Sequence, residues 1–267
     1  MASATLEPSA GPGQGPISVL VLDPSRTRLV LHAGTQEPVA GETWRAGPTV
    51  DGTERPLLIA TFNGGFKQRD AHGGWLSEGR TVSPVVRGAA SVVIYRDGST
   101  DIGTWGTQVP THGRAVASVR QNLALLVDAG VPQRIHPVGQ RQLDQWWGHA
   151  FQGEPLISRS ALGITASGAL VWAAGTKVTV AALASALVAH HVVRALELDV
   201  NAPLVRGFLF PGASEVVVHG RQVTAPLPLV LGQTQPVPDP SIRNPRRAQH
   251  CAYLTPCSRD FFAVVLR

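Results

Sequence analysis

The chain has 267 residues, 43% of them apolar, which is enough for one large core or two small ones. Lys plus Arg outnumber Asp plus Glu by 23 to 18, yet no basic run is interleaved with aromatics, so nucleic acid is not an expected partner. No stretch reaches the roughly 20 apolar residues of a membrane span, and the 28 glycines and 21 prolines are dispersed, which favours a loop-rich fold of many strands over a disordered or mainly helical chain.

Residues 1 to 16, "MASATLEPSAGPGQGP", read as a flexible lead-in. They carry neither the positive start nor the apolar stretch of a signal peptide. The remainder, 17 to 267, is expected to form a single domain. "ISVLVLD" and "RLVLH" alternate around "PSRT" like the arms of a hairpin, and "PLLIATF" is a buried apolar run that stops at "NGG". "SVVIYRDGSTDIGTW" places a two-residue Asp97-Gly98 turn between alternating arms. "LALLVDAG", "ALVWAAG", "RALELDV", "GFLF", "EVVVHGRQV", "LPLVLG" and "FFAVVLR" are further strands.

One helix is clear, running from an N-cap at Thr179 through "VAALASALVAHH" with Val180, Leu183, Ala184 and Leu187 at helical spacing. A weaker one covers Gly139 to Trp147. The order strand, helix, strand from "ALVW" to "RALELDV" predicts a βαβ crossover with parallel strands. The expected fold class is therefore α+β, a mixed, strand-rich sheet core with few helices and one such crossover.

Ligands in crossover sheets sit at the carboxyl ends of strands, and "RALELDVNAP" puts Glu197, Asp199 and Asn201 on one face of such a strand near that end. Two ionised carboxylates roughly 7 Å apart are costly to bury without a cation, an arginine or a shared proton. They read as an acid/base pair, or with Asn201 as oxygen ligands for a divalent cation such as Ca²⁺ or Mg²⁺; the bland alternative is a solvated edge strand. In "TFNGGFKQRDAHGG", Gly64 and Gly65 let the chain after Asn63 take positive φ and offer amide N–H groups to a ligand, with Lys67 and His72 on the loop beyond. A tight surface turn would use the same residues. "VRQN" sets Arg120 and Asn122 before an apolar run, and "ISRSALG" wedges Arg159 into one. Each arginine fits either an anion contact or a structural ion pair.

Cys251 and Cys257 bracket "AYLTP" and read as one disulfide clip in an oxidising compartment, or else as two reduced, buried thiols. Zinc is not expected, since His250 is the only ligand-type neighbour. His190 and His191 end the helix and read as structural. The six tryptophans, Trp146 and Trp147 among them, fit sugar-stacking platforms or, more commonly, core packing.

Three of these segments, in this order, resemble the phosphodiester glycosidase family of uncovering-enzyme-like domains, in a variant found among actinobacterial members. "TFNGGF" is similar to the family's Asn-Gly-Gly-Phe motif, "ISRSALGITASGALV" to its Arg-x-x-x-Gly segment, and "RALELD" to the Ala-Leu-Asn-Leu-Asp strand after the helix. The resemblance implies a secreted or extracytoplasmic hydrolase that cleaves the glycosidic bond of a sugar-1-phosphodiester, with a phosphorylated carbohydrate of the cell envelope as substrate. It also implies that Asn63, Gly64, Gly65, Arg159 and Asp199 line the site. The chain departs from the family where Val200, Asn201, Ala202 and Pro203 replace a glycine run and a Ser, and where Glu197 replaces Asn. The rival expectation is a non-catalytic domain that binds phosphate-bearing glycans.

Overall fold

The computed structural model describes residues 2–8, 11–133, 147–148, 155–202, 204–210, 217–218, 221–222, 227–230 and 252–267. The apolar runs become strands nearly wherever the sequence places them. In chain order these are β1 (Ala2–Glu7), β2 (Ile17–Leu22), β3 (Thr27–His32), β4 (Leu58–Asn63), β5 (Trp75–Ser77), β6 (Arg80–Ser83) and β7 (Ala90–Tyr95). There follow β8 (Thr100–Thr104), β9 (Val116–Gln121), β10 (Leu125–Asp128), β11 (Val131–Pro132), β12 (Ile157–Thr165) and β13 (Leu170–Val178). The last are β14 (Val192–Val200), β15 (Gly207–Leu209), β16 (Val217–Val218), β17 (Arg221–Gln222), β18 (Leu227–Pro228) and β19 (Phe261–Leu266). Two α-helices, α1 (Gln68–Ala71) and α2 (Val180–Ala189), and a short 3-10 turn at Arg55–Leu57 complete the described elements.

The strands form a seven-stranded sheet in the order β1-β2-β13-β12-β14-β10-β11, two five-stranded sheets, β18-β15-β4-β19-β3 and β6-β5-β9-β7-β8, and the small β16-β17 ribbon. All their ladders are antiparallel. One core lies where the three large sheets meet, built on Leu20, Phe62, Trp75, Val92, Trp172, Leu198 and Phe262 among others. A second core covers the other face of the seven-stranded sheet, where α2 lays Leu183 and Leu187 against Val19, Ala161, Val171 and Ala173. Being covered on both faces explains why β12, β13 and β14 are almost continuously buried and lack the apolar-polar alternation of a one-sided antiparallel sheet.

The architecture is mostly β, with antiparallel sheets and little helix, and it departs from the expected α+β crossover in a definite way. Strands β13 and β14 run in the same direction but are not neighbours; β12 lies between them and is antiparallel to both. The helix itself is as expected, since Thr179 is extended and its Oγ1 accepts the Ala182 N–H at 3.1 Å. Replacing Thr179 with Ala should cost about 1 kcal/mol, read as a lower urea midpoint at unchanged slope.

Two hairpin expectations part company. The β7-β8 hairpin forms in the expected register, Ala90 opposite Thr104 and Ile94 opposite Thr100, with Gly98 at φ 79°. Its loop holds three residues rather than two, because Tyr95 N–H still bonds Ser99 O at 2.9 Å. By contrast, β2 and β3 do not pair; β2 joins β1 and β13, while β3 joins β19 in another sheet. The "PSRT" turn is therefore a passage between layers, held by Asp23, whose Oδ1 accepts the Ser25 N–H at 2.9 Å. The lead-in is also partly ordered, since Ala2–Glu7 forms an edge strand on β2. The expected helix at Gly139 to Trp147 lies, apart from Trp147, outside the described residues.

Candidate functional site

The polar residues of β14 are buried by the strand's central place. Glu197 and Asp199 retain only 2% and 4% exposure. Between the pairs Arg159 to Val200 and Ala161 to Glu197 the ladder carries a β-bulge, so that Leu198 and Asp199 together face the single residue Ser160. Bulges bend and re-aim a strand, and are over-represented beside active sites.

Each carboxylate is matched to an arginine. Arg159 Nη1 donates to Glu197 Oε1 at 2.7 Å, while Arg259 Nη2 donates to Asp199 Oδ2 at 2.9 Å and to the Gly65 carbonyl at 2.6 Å. Asp199 Oδ1 accepts the Val200 N–H at 2.8 Å. Burial dominates both titrations. It pushes Glu197 up to about 7 against the pull of Arg159, with Asp199 adding to the rise, and pushes Asp199 up to about 6 against Arg259 and the Val200 amide. The positive charge demanded by the crowded carboxylates is thus supplied by guanidinium groups. Among the described residues no three His, Cys, Asp or Glu side chains are grouped to hold a metal ion.

A second buried ion pair stands beside the first. Arg120 Nε meets Asp260 Oδ2 at 2.6 Å, both side chains being fully buried. The rest of the guanidinium donates to the carbonyls of Gln121, at 2.7 Å, and Phe66. Asn122 Oδ1 accepts the Phe66 N–H at 3.2 Å. Asn63, the last residue of β4, bonds Ser160 Oγ through Nδ2 at 3.0 Å, and Ser160 in turn donates to the Asp199 carbonyl at 3.1 Å. One hydrogen-bonded network therefore joins the end of β4, the start of β19 and the bulge of β14.

The two glycines after Asn63 serve this network differently from the expectation. Neither has positive φ, and the Gly64 N–H is taken by the Asp260 carbonyl at 3.0 Å. They are needed because polar side chains press on the backbone. A Cβ on Gly64 would lie 2.7 Å from Asp260 Oδ2, and one on Gly65 would lie 2.3 Å from Asn122 Oδ1. Gly65→Ala should accordingly lower stability by about 1 to 3 kcal/mol in chemical denaturation, since Asn122 must leave a buried position.

Of the expected site residues, Asn63, Gly64, Gly65, Arg120, Asn122, Arg159, Glu197 and Asp199 come together. Asn201 is buried with φ 73°, its N–H bonded to Ser158 O at 2.8 Å. Lys67 and His72 flank α1; His72 is exposed, and neither side chain makes a hydrogen bond or ion pair with the cluster among the described residues. Arg259, Asp260 and Ser160 were missed. The signal for the first two was a charged pair, "RD", opening the apolar strand "FFAVVL". Trp44, Trp75, Trp147 and Trp172 are buried core residues rather than stacking platforms. Cys257 is buried and is not a free thiol, whereas its expected partner Cys251 lies outside the described residues.

Fold and cluster together define a β-rich domain with a buried arginine-carboxylate network where strands of the three large sheets approach. A known structure shares this architecture across the whole chain. It is the catalytic domain of zebrafish N-acetylglucosamine-1-phosphodiester alpha-N-acetylglucosaminidase, auto-inhibited by its pro-peptide, with a TM-score of 0.56, 12% identity, and coverage of 100% of this chain and 83% of that one. A hypothetical protein from Synechocystis aligns over 99% of this chain and 61% of its own, at a TM-score of 0.47 and 14% identity. No family model matches the chain, and no curated protein matches its sequence.

Proposed function

We propose that the chain is a hydrolase of the phosphodiester glycosidase type, cleaving the bond between an anomeric carbon and a phosphodiester in an anionic glycan or glycoconjugate of the cell envelope. The observation that carries this reading is the pair Glu197 and Asp199, buried side by side on a bulged strand with proton affinities lifted toward neutrality. A buried carboxyl pair flanked by arginines suits the combination of an oxocarbenium-like centre and a bound phosphate that this reaction presents. The fold shared with a phosphodiester glycosidase supports the reaction class.

A phosphate is already a good leaving group, so the site needs to bind the anion, stabilise an oxocarbenium-like transition state and supply water. Asp199 faces the anomeric carbon, with Arg259 holding its orientation. Glu197 tunes Asp199 electrostatically, and Arg159 draws the anion toward the pair. The test is phosphorus NMR of the purified protein with a panel of sugar-1-phosphodiesters. Growth of a phosphomonoester signal, lost in Asp199→Asn, is the expected result; binding without turnover would replace this reading with that of a glycan-binding domain.

A further inference from the structure

The cluster contains a fourth carboxylate that the sequence did not single out. Glu37 lies on the loop after β3, and that loop is laced to the segment preceding Asp260. Thr35 N–H bonds Cys257 O at 2.8 Å, and the amides of Gln36 and Glu37 both bond Ser258 O at 3.0 Å. Gly34 permits the close approach, since a Cβ there would lie 2.4 Å from the Ser258 carbonyl oxygen. On its other side, Glu37 Oε2 accepts the Gln68 N–H at 3.1 Å, three residues past Gly65. Glu37 is thus fixed between two segments that line the cluster, the one carrying Gly64, Gly65 and Phe66 and the one carrying Arg259 and Asp260.

Its surroundings set it apart from the other three. Glu197, Asp199 and Asp260 are buried and each is tied to an arginine, and Asp199 has a donor on both oxygens. Such groups are fixed in place and shielded from water. Glu37 is only half-buried. Its proton affinity is raised, chiefly by that burial, with the Gln68 amide, Arg259 and Arg120 opposing the rise and Asp260 adding to it. A group that collects a proton from a reacting water and returns it to solvent requires this combination of proximity and access.

We infer that Glu37 is the general base of the site, a reading that rests on the glycosidase function proposed above. In the step assigned to it, an O–H bond of water breaks as the water oxygen bonds the anomeric carbon. The bond from that carbon to the phosphate oxygen breaks, its electron pair leaving on the phosphate. The proton of the water passes to the Glu37 carboxylate and from there to solvent. Asp199 then serves as the fixed negative charge beside the anomeric centre rather than as the proton acceptor.

The experiment compares wild type, Glu37→Gln and Glu37→Ala on any sugar-1-phosphodiester that wild type turns over, with thermal unfolding measured in parallel. A positioned base contributes roughly 10² to 10⁴ in rate, so kcat should fall at least about 100-fold in both variants while KM changes less than about threefold. Sodium formate, a small external base, should restore turnover of Glu37→Ala at least about tenfold and leave Glu37→Gln unaffected, which a merely structural role would not produce. Glu37→Gln with wild-type kcat, or a loss in Glu37→Ala that formate does not rescue, overturns the assignment while the glycosidase reading stands. Wild type without turnover on the whole panel removes that reading and this one with it.

Discussion

Replacing Asp260 with Ala should destabilise the protein by about 3 to 5 kcal/mol, the range for removing one partner of a buried ion pair. The size follows from what would be left behind. Arg120 is fully buried and its Nε points at the missing carboxylate. Asp260 also packs against Gly64, so its loss leaves a void as well as a charge. Chemical denaturation at neutral pH measures the effect. The decisive comparison is with a double variant, Arg120→Met with Asp260→Leu, in which both charges are gone. If the penalty is an uncompensated buried charge, the double variant should recover about half or more of the loss, because an apolar pair of similar volume is often as stable as a buried ion pair. A single Asp260→Ala variant within about 1 kcal/mol of wild type would show that Arg120 finds other partners.

That pair also marks the boundary of what the sequence disclosed. Strand existence was legible because buried strands announce themselves as apolar runs of β-branched residues, and the helix because a 3.6-residue period follows a good N-cap. Strand partnership was not. The short connection between β2 and β3 looks like a hairpin turn, yet the apolar faces on either side belong to different sheets. The same limit explains the crossover, since nothing within "ALVW", α2 and "RALELDV" reveals that β12, which precedes them, lies between the two strands. In the site, Glu197 and Asp199 were visible because charged residues interrupt an apolar strand, and Asn63 with its glycines because a strand stops abruptly there. Their counter-charges were harder to find. Arg259 comes from a segment 60 residues further along the chain than Asp199, and Asp260 from 140 residues beyond Arg120. Local pattern carries no record of which distant arginine neutralises which carboxylate. The glycine pair was read correctly as special but for the wrong reason, because a close approach by a distant side chain and a positive φ leave the same mark on a sequence.

Raising the pH from about 4 to 8 should weaken the fold, and Asp199→Asn should lessen that dependence while removing activity. The folded protein holds the Asp199 proton up to about 6, and the Glu197 proton up to about 7, against ordinary values of 3.8 and 4.5. Between each ordinary value and its raised one, the folded chain keeps a proton that the unfolded chain has released. The stability this gives is complete below the lower value and is lost as pH rises through the higher one. At 1.36 kcal/mol per unit, each group accounts for at most about 3 to 3.5 kcal/mol, lost mostly between pH 4 and 7. Urea unfolding of wild type at several pH values in this window should show the decline, and Asp199→Asn and Glu197→Gln should each remove a part of it, since an amide cannot ionise. At pH 8 Asp199→Asn removes a buried negative charge but also strips Arg259 of its partner, so its effect on stability is the balance of the two, whereas turnover of a sugar-1-phosphodiester should fall at least about 100-fold for want of the negative charge at the anomeric centre. Wild-type stability that stays level or rises from pH 4 to 8 would contradict the buried-carboxylate account, and an Asp199→Asn protein with undiminished turnover would remove Asp199 from the reaction.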